Sequence, residues 1–206
     1  GAVTVLECND PQVPTEVVVA ERQPKNGDVF DQLPFARTQG SPINTKPLEE
    51  SIEATAAAVA AGLPMVPCDA VTDILLRRTP RTRSGNPLPH GAAIEDDITA
   101  ALLDLDASYL AVHGPPGTGK TYTSARVIER LVNAHGWRVG VVAQSHAVVE
   151  NLFADVLKAG VDGAHVAKKL NSVNCGWTEL TNPEFAAFID EHTTGGVGCV
   201  IGGTGW

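Results

Sequence analysis

The alternation of apolar and polar positions is clearest from residue 94 onward. Ile94, Ile98, Ala101, Leu102 and Leu105 fall at i, i+4, i+7, i+8 and i+11, one stripe of an amphipathic helix. Tyr109 to Val112 is then a short continuous apolar run, which predicts a buried strand. Val127, Ile128 and Leu131 return to helical spacing, and Gly136 ends that helix. Arg138 to Ala143 reads as a second buried strand, Ala147 to Lys158 as a helix stopped by Gly160. His165 to Ala167 and Val197 to Ile201 are the third and fourth strands. Apolar strands alternating with helices predict a parallel sheet covered on both faces.

The first 90 residues are patterned differently. Val3 to Leu6 and Glu16 to Ala20 are β-branched runs. Pro24 to Asp28 is a turn signal, Val29-Phe30 a candidate return strand, and Gly40-Ser41-Pro42 closes the section. Pro47 to Ala61 predicts a helix with Thr45 as N-cap, Gly62 and Pro64 as its stop, and Leu48, Ile52 and Val59 on one apolar face. Asp69 to Arg78 predicts a second, shorter helix. Between Arg77 and Pro87 stand four arginines in seven residues (Arg77, Arg78, Arg81, Arg83). This linker either tracks the phosphates of a single strand or pairs with acidic neighbours at the surface. Two regions follow: a small β-rich α+β appendage over 1–90 and an α/β domain over 91–206.

The chemistry is concentrated between the predicted strand and the helix after it. Gly114, Pro115, Pro116, Gly117, Thr118, Gly119, Lys120 and Thr121 spell G-x-x-x-x-G-K-T, the phosphate-binding loop of nucleotide triphosphatases, with Tyr122 next in line. Its glycines let backbone N–H groups turn toward a phosphate with no Cβ in the way. Lys120 brings a point charge to the β- and γ-phosphates, and the Thr121 hydroxyl is placed to ligate Mg²⁺. The helix that starts here adds the positive end of its dipole. Gly114 to Tyr122 is therefore the candidate nucleotide site, with Lys120 and Thr121 as its catalytic pair.

Two further stretches lie at predicted strand ends. Ala143-Gln144-Ser145-His146-Ala147 joins the second strand to the next helix, where Ser145 and His146 either meet a phosphate or simply cap the helix. Val200-Ile201-Gly202-Gly203-Thr204 runs an apolar strand into a close-approach turn that exposes Thr204.

Taken together, these three stretches resemble motifs I, Ia and Ic of superfamily 1 helicases, in the branch of the nonsense-decay helicase and the Okazaki-fragment nuclease-helicases. The likeness is closest to bacterial proteins in which a RecB-like nuclease precedes such a helicase. There, too, a Ser-Tyr-Leu-Ala-Val strand enters Gly-Pro-Pro-Gly-Thr-Gly-Lys-Thr, as Ser108 to Thr121 does here. The resemblance covers residues 91–206 and implies the first part of a RecA-like ATP-binding domain. It also implies that Ser145, His146 and Thr204 contact the backbone of a single strand. DNA is favoured over RNA because the nearest likeness is to nuclease–helicase fusions. In that family ATP closes two RecA-like domains on each other and hydrolysis reopens them. His113 stands where relatives often carry Gln, and Gly205 where they tend to carry Ala. No adenine-reading glutamine motif precedes the loop, and residues 1–90 show no nuclease carboxylate–lysine cluster. Up to Trp206 there is no acidic Mg²⁺ motif after the third stretch and no second RecA-like domain with arginine fingers. The polypeptide itself is therefore expected to bind nucleotide and hydrolyse it very poorly. The residues leave three alternatives: a stand-alone nucleotide-binding or regulatory ATPase module, an RNA helicase, and a small-molecule kinase, for which neither an arginine-rich lid nor an acceptor site is evident.

Bulk properties change this picture little. The chain has 206 residues, 43% hydrophobic and 19% charged, with no apolar run long enough for a membrane span and no leader-like start. It begins at Gly1 rather than Met, as a piece of a longer polypeptide would. A net charge of −9 argues mildly against nucleic acid, although a local basic strip overrides net charge. Cys8, Cys68, Cys175 and Cys199 are too scattered for a zinc ribbon or a redox pair, which fits a reducing cytoplasm.

Overall fold

The structure is a computed structural model describing residues 3–9, 15–21, 44–169, 175–194 and 196–205. Contacts divide the chain into two compact units, Gly1–Pro47 and Leu48–Trp206. In the first, β1 (Val3–Cys8) and β2 (Val17–Glu21) pair antiparallel, with a register shift between Val5 and Glu7. Asn9 closes this pair: its side-chain oxygen accepts the N–H groups of Thr15 and Glu16 at 3.2 and 3.0 Å. The turn at 24–28, the return strand at 29–30 and the closing turn at 40–42 lie outside the described residues.

Helix α1 (Lys46–Gly62) begins where Asn44 Oδ1 accepts the Lys46 N–H at 3.1 Å, one residue before the expected cap Thr45. Its expected apolar face is not buried: Leu48 and Ile52 are 46% and 69% exposed. The alanine-rich sequence favours helix by propensity alone, without needing a surface to cover. Helix α2 (Ala70–Leu75) is capped by Asp69, whose carboxylate accepts the Thr72 N–H at 2.7 Å. Helix α3 (Ile94–Asp104) turns Ala101 and Thr99 inward, while Ile94, the first member of the expected stripe, stays exposed.

The arginine-rich stretch is neither a loose linker nor a free basic strip. Asp73, fully buried, takes the Arg81 Nε at 2.9 Å and the Ser108 hydroxyl at 2.8 Å, and faces Arg78 Nη1 at 3.7 Å. Tyr109 OH donates to the Arg78 carbonyl at 2.8 Å, and the Arg81 N–H donates to Ser108 Oγ at 3.1 Å. Thr82 bridges Leu105, and Ser84 bonds the Asp104 carboxylate. This knot holds two non-glycine residues, Arg77 and Ala107, at φ 53° and 45°, left-handed backbone that needs such bracing. It fixes the segment leading into the glycine loop.

Asp73 is held below the usual carboxylate range. The Ser108 hydrogen bond contributes most; burial opposes it, and the Arg81 hydrogen bond and the charges of Arg81 and Arg78 add to the lowering. A depressed folded pKa stabilises above the unfolded value, about 3.9 for aspartate, and that stability is lost as pH falls through the folded pKa. Asp73→Asn is therefore expected to melt below the wild type at pH 7, with the gap closing on acidification below about pH 4. Melting curves across that range measure it; a gap independent of pH contradicts the ionised knot.

The main domain continues with α4 (Lys120–His135), β3 (Arg138–Ala143), α5 (His146–Ala159), β4 (Val166–Lys169), β5 (Thr178–Leu180), α6 (Glu184–Thr194) and β6 (Cys199–Thr204). The four strands form one parallel sheet in the order β3-β6-β4-β5. Alternate strand residues face opposite layers. Val166 and Val200 join Ala125, Ile128 and Val132 of α4 and Val149, Phe153 and Val156 of α5 in one apolar cluster. Ala167 and Cys199 pack with Phe188 of α6 in another. Burial raises the Cys199 thiol pKa, against the pull of Arg138, and so keeps it protonated. Helices thus cover both faces, as a P-loop α/β domain of RecA-like fold requires.

The strand expected at Tyr109 to Val112 is not formed: this segment has no ladder partner among the described residues. Tyr109 and Ser108 are tied to Arg78 and Arg81 instead. Between Leu110 and the unpaired edge of β3 lies an apolar groove of about 530 Å³ that Leu102, Val127, Leu131, Val139 and Val141 also line. Strand β5 and helix α6 had not been expected. Thr181-Asn182-Pro183-Glu184 makes half of a capping box before α6: the Glu184 carboxylate accepts the Thr181 N–H and hydroxyl at 2.6 and 2.7 Å, while the Glu184 N–H donates to the Thr181 carbonyl. The two bonds to the carboxylate, hydroxyl first, hold the Glu184 carboxyl below its ordinary range. No helix among the described residues is long and apolar enough to cross a membrane.

Candidate nucleotide-binding site

The glycine loop opens α4. Gly117 and Gly119 have φ of 82° and 79°, left-handed values that a side chain would strain, and Gly119 is the residue that caps the helix. A Cβ added at either would meet no protein atom within 4 Å, so the space above the loop is free for close approach by an anion. Thr118 braces the turn: its hydroxyl donates to the Pro115 carbonyl at 2.8 Å. The Lys120 ammonium folds back over the loop, donating to the Gly114 carbonyl and, at 2.8 Å, to the Pro115 carbonyl. These are neutral acceptors. A phosphate oxygen offered to the same ammonium carries the opposite charge and adds ion-pair attraction to the hydrogen bond.

The donor set fits a triphosphate: successive N–H groups at a helix start, a lysine within reach of them, and open space where a Cβ would stand. Thr121 and Tyr122 follow in the first turn of α4, both exposed. Tyr122 carries Arg126 over its ring, 4.4 Å from the centroid. Among the described residues no group of three His, Cys, Asp or Glu is placed to hold a metal. A Mg²⁺ bound with the nucleotide would take the Thr121 hydroxyl as one ligand beside phosphate oxygens and water.

The second candidate region forms at the carboxyl ends of the strands. Parallel pairing of β3 with β6 sets Ala143 beside Thr204, so the stretch at Ser145-His146 and the end of β6 converge. His146 and Thr204 line one cavity of about 330 Å³ together with Lys169, Asn182 and Phe185. Ser145 caps α5: its hydroxyl accepts the Val148 N–H at 3.4 Å. Gly202 lets α5 approach the strand, because a Cβ there would lie 2.4 Å from Phe153 Cζ. The buried Lys168, next to Lys169 in β4, donates to Glu150 Oε1 at 2.8 Å. Lys169, Asn182 and Phe185 were not singled out in the sequence. Asn182 and Phe185 lie at the start of the unexpected α6, whose half capping box was the available signal.

A glycine loop of this spacing opening an amphipathic helix, on a parallel sheet with helices on both faces, defines a P-loop nucleotide-triphosphatase fold of RecA-like type. Residues 96–197, just under half of the chain, match the family described as "AAA domain". The chain is 40% identical over 58 residues to "Regulator of nonsense transcripts 1 homolog" of Drosophila melanogaster, covering 28% of this chain and 5% of that protein. It is 38% identical over 58 residues to "ATP-dependent helicase NAM7" of Saccharomyces cerevisiae, covering 28% of this chain and 6% of that protein. The aligned stretch is thus a small part of either relative's length. No solved structure matches the chain at a significant level.

Proposed function

We propose that this chain is the nucleotide-binding part of an ATP-dependent superfamily 1 helicase acting on nucleic acid, with DNA favoured over RNA. The observation that carries the reading is the Gly114–Thr121 loop, with Lys120 poised over its own carbonyls, on a sheet whose strand ends gather His146 and Thr204. In this reading the backbone N–H groups of Gly117 to Lys120 and the Lys120 ammonium hold the β- and γ-phosphates of ATP. Thr121 contributes a hydroxyl to Mg²⁺, and Tyr122 lies beside the nucleotide. The nucleotide, when bound, supplies the free energy that drives the motor. Residues 91–206 form the first RecA-like domain, residues 1–90 an appendage, and a partner RecA-like domain belongs to the complete machine. The similarity to an ATP-dependent helicase supports the motor; the preference for DNA rests on the likeness to nuclease–helicase fusions.

His146 and Thr204 meet the strand backbone, and Ser145 supports them by fixing the start of α5. Few phosphate contacts are available, so single-strand binding is expected to be weak, with a log–log salt slope of about −0.7 per phosphate contacted. Fluorescence anisotropy with labelled oligothymidylate, oligouridylate and a duplex at low salt measures this. Preference for single strands, lost on Thr204→Ala, supports the motor; no binding of any single strand at low salt removes that half of the reading.

A further inference from the structure

The cavity at the strand ends combines features that the backbone contacts of His146 and Thr204 do not use. The carboxyl ends of β4 and β6 and the N-terminal ends of α5 and α6 meet there, so two helix dipoles present their positive ends to one space. Lys169 adds an exposed ammonium at the end of β4. His146 lines the same cavity, and its buried Nδ1 has no hydrogen-bond partner among the described residues. Nearby carboxylates that would repel an anion are engaged: Glu150 with Lys168, and Glu184 with Thr181. The opposite wall is aromatic. Phe185 is half-buried against the Leu180–Ile201 side of the sheet, with Asn182 one turn before it. At about 330 Å³ the space is at the small end of ligand pockets.

We propose that this cavity seats one nucleotide of the bound strand, its phosphate between Lys169 and His146 and its base against Phe185, with Asn182 at the base edge. The proposal rests on the strand-binding reading above and extends it: Phe185 and Lys169 become determinants of single-strand affinity. Stacking on one aromatic face tolerates any base, which suits a motor that moves along sequence without reading it.

The test compares oligothymidylate with an abasic deoxyribose-phosphate oligomer of equal length, titrated into the full chain. Because Phe185 also packs in the core, Phe185→Leu replaces alanine as the main variant and Phe185→Trp serves as rescue. Phe185→Leu is expected to weaken oligothymidylate binding roughly five- to hundredfold, leaving the abasic oligomer unchanged, and Phe185→Trp to restore it. Lys169→Ala is expected to weaken both ligands and to reduce the log–log salt slope by about 0.7. If Phe185→Leu binds both oligomers as the wild type does, the nucleotide seat is wrong while strand binding stands. Equal loss for both oligomers makes Phe185 structural only, which also overturns the seat. Absence of wild-type binding to either oligomer overturns the strand-binding reading itself.

Discussion

Lys120→Ala is expected to lose Mg²⁺-dependent nucleotide binding on the order of a hundredfold or more while keeping the wild-type fold. The side chain is exposed, and its contacts are with the Gly114 and Pro115 carbonyls of its own loop rather than with the core. Removing it costs no packing, so circular dichroism and melting should stay close to the wild type. What disappears is the ammonium aimed over the loop. Truncating one partner of a charged, hydrogen-bonded pair costs about 2–5 kcal/mol, which sets the expected loss of affinity. Calorimetry with MgATP on both proteins reads the difference directly. Equal affinities at matched circular dichroism place the nucleotide elsewhere.

Phe153→Ala is expected to be the most destabilising single truncation in the domain, by about 3–5 kcal/mol. Phe153 is fully buried between α5 and the sheet and sits edge-on to Trp177 with ring centroids 5.6 Å apart. It also fills the space that Gly202 leaves open on β6, so a cavity there cannot collapse without moving α5. Urea denaturation measures the loss. Since α5 carries His146 at its start, strand affinity should fall along with stability, whereas the glycine loop is held by its own turn and by α4. A loss below about 1 kcal/mol contradicts the packing described.

Much of this was legible because it is local. The glycine loop declared itself through residues that share one chemical task, and the strand at 138–143 through its apolar run, while the last strand, expected at 197–201, forms at 199–204. Positions whose role depends on distant partners were not legible. Asp73 reads as a routine helix residue until Arg81 and Ser108 close on it, and the arginine run looked like a linker because its acidic partner lies outside it. Tyr109 to Val112 carries a strand's composition, yet a strand exists only with a neighbour to pair with. For Ser145 the sequence left capping and ligand contact equally open; the Val148 N–H bond shows that it caps α5, while its hydroxyl proton can still be donated to a ligand. Lys169, Asn182 and Phe185 come together through sheet order, which no spacing along the chain encodes.

The central claim is that the loop at residues 114–121 is a working nucleotide site. Its most direct test is titration of a fluorescent ATP analogue into the wild-type chain, with Mg²⁺ and again with the metal chelated, followed by competition with unlabelled ATP. A working site gives saturable one-to-one binding that weakens without Mg²⁺ and is displaced by ATP. A signal that does not saturate, or that ATP cannot displace, contradicts it.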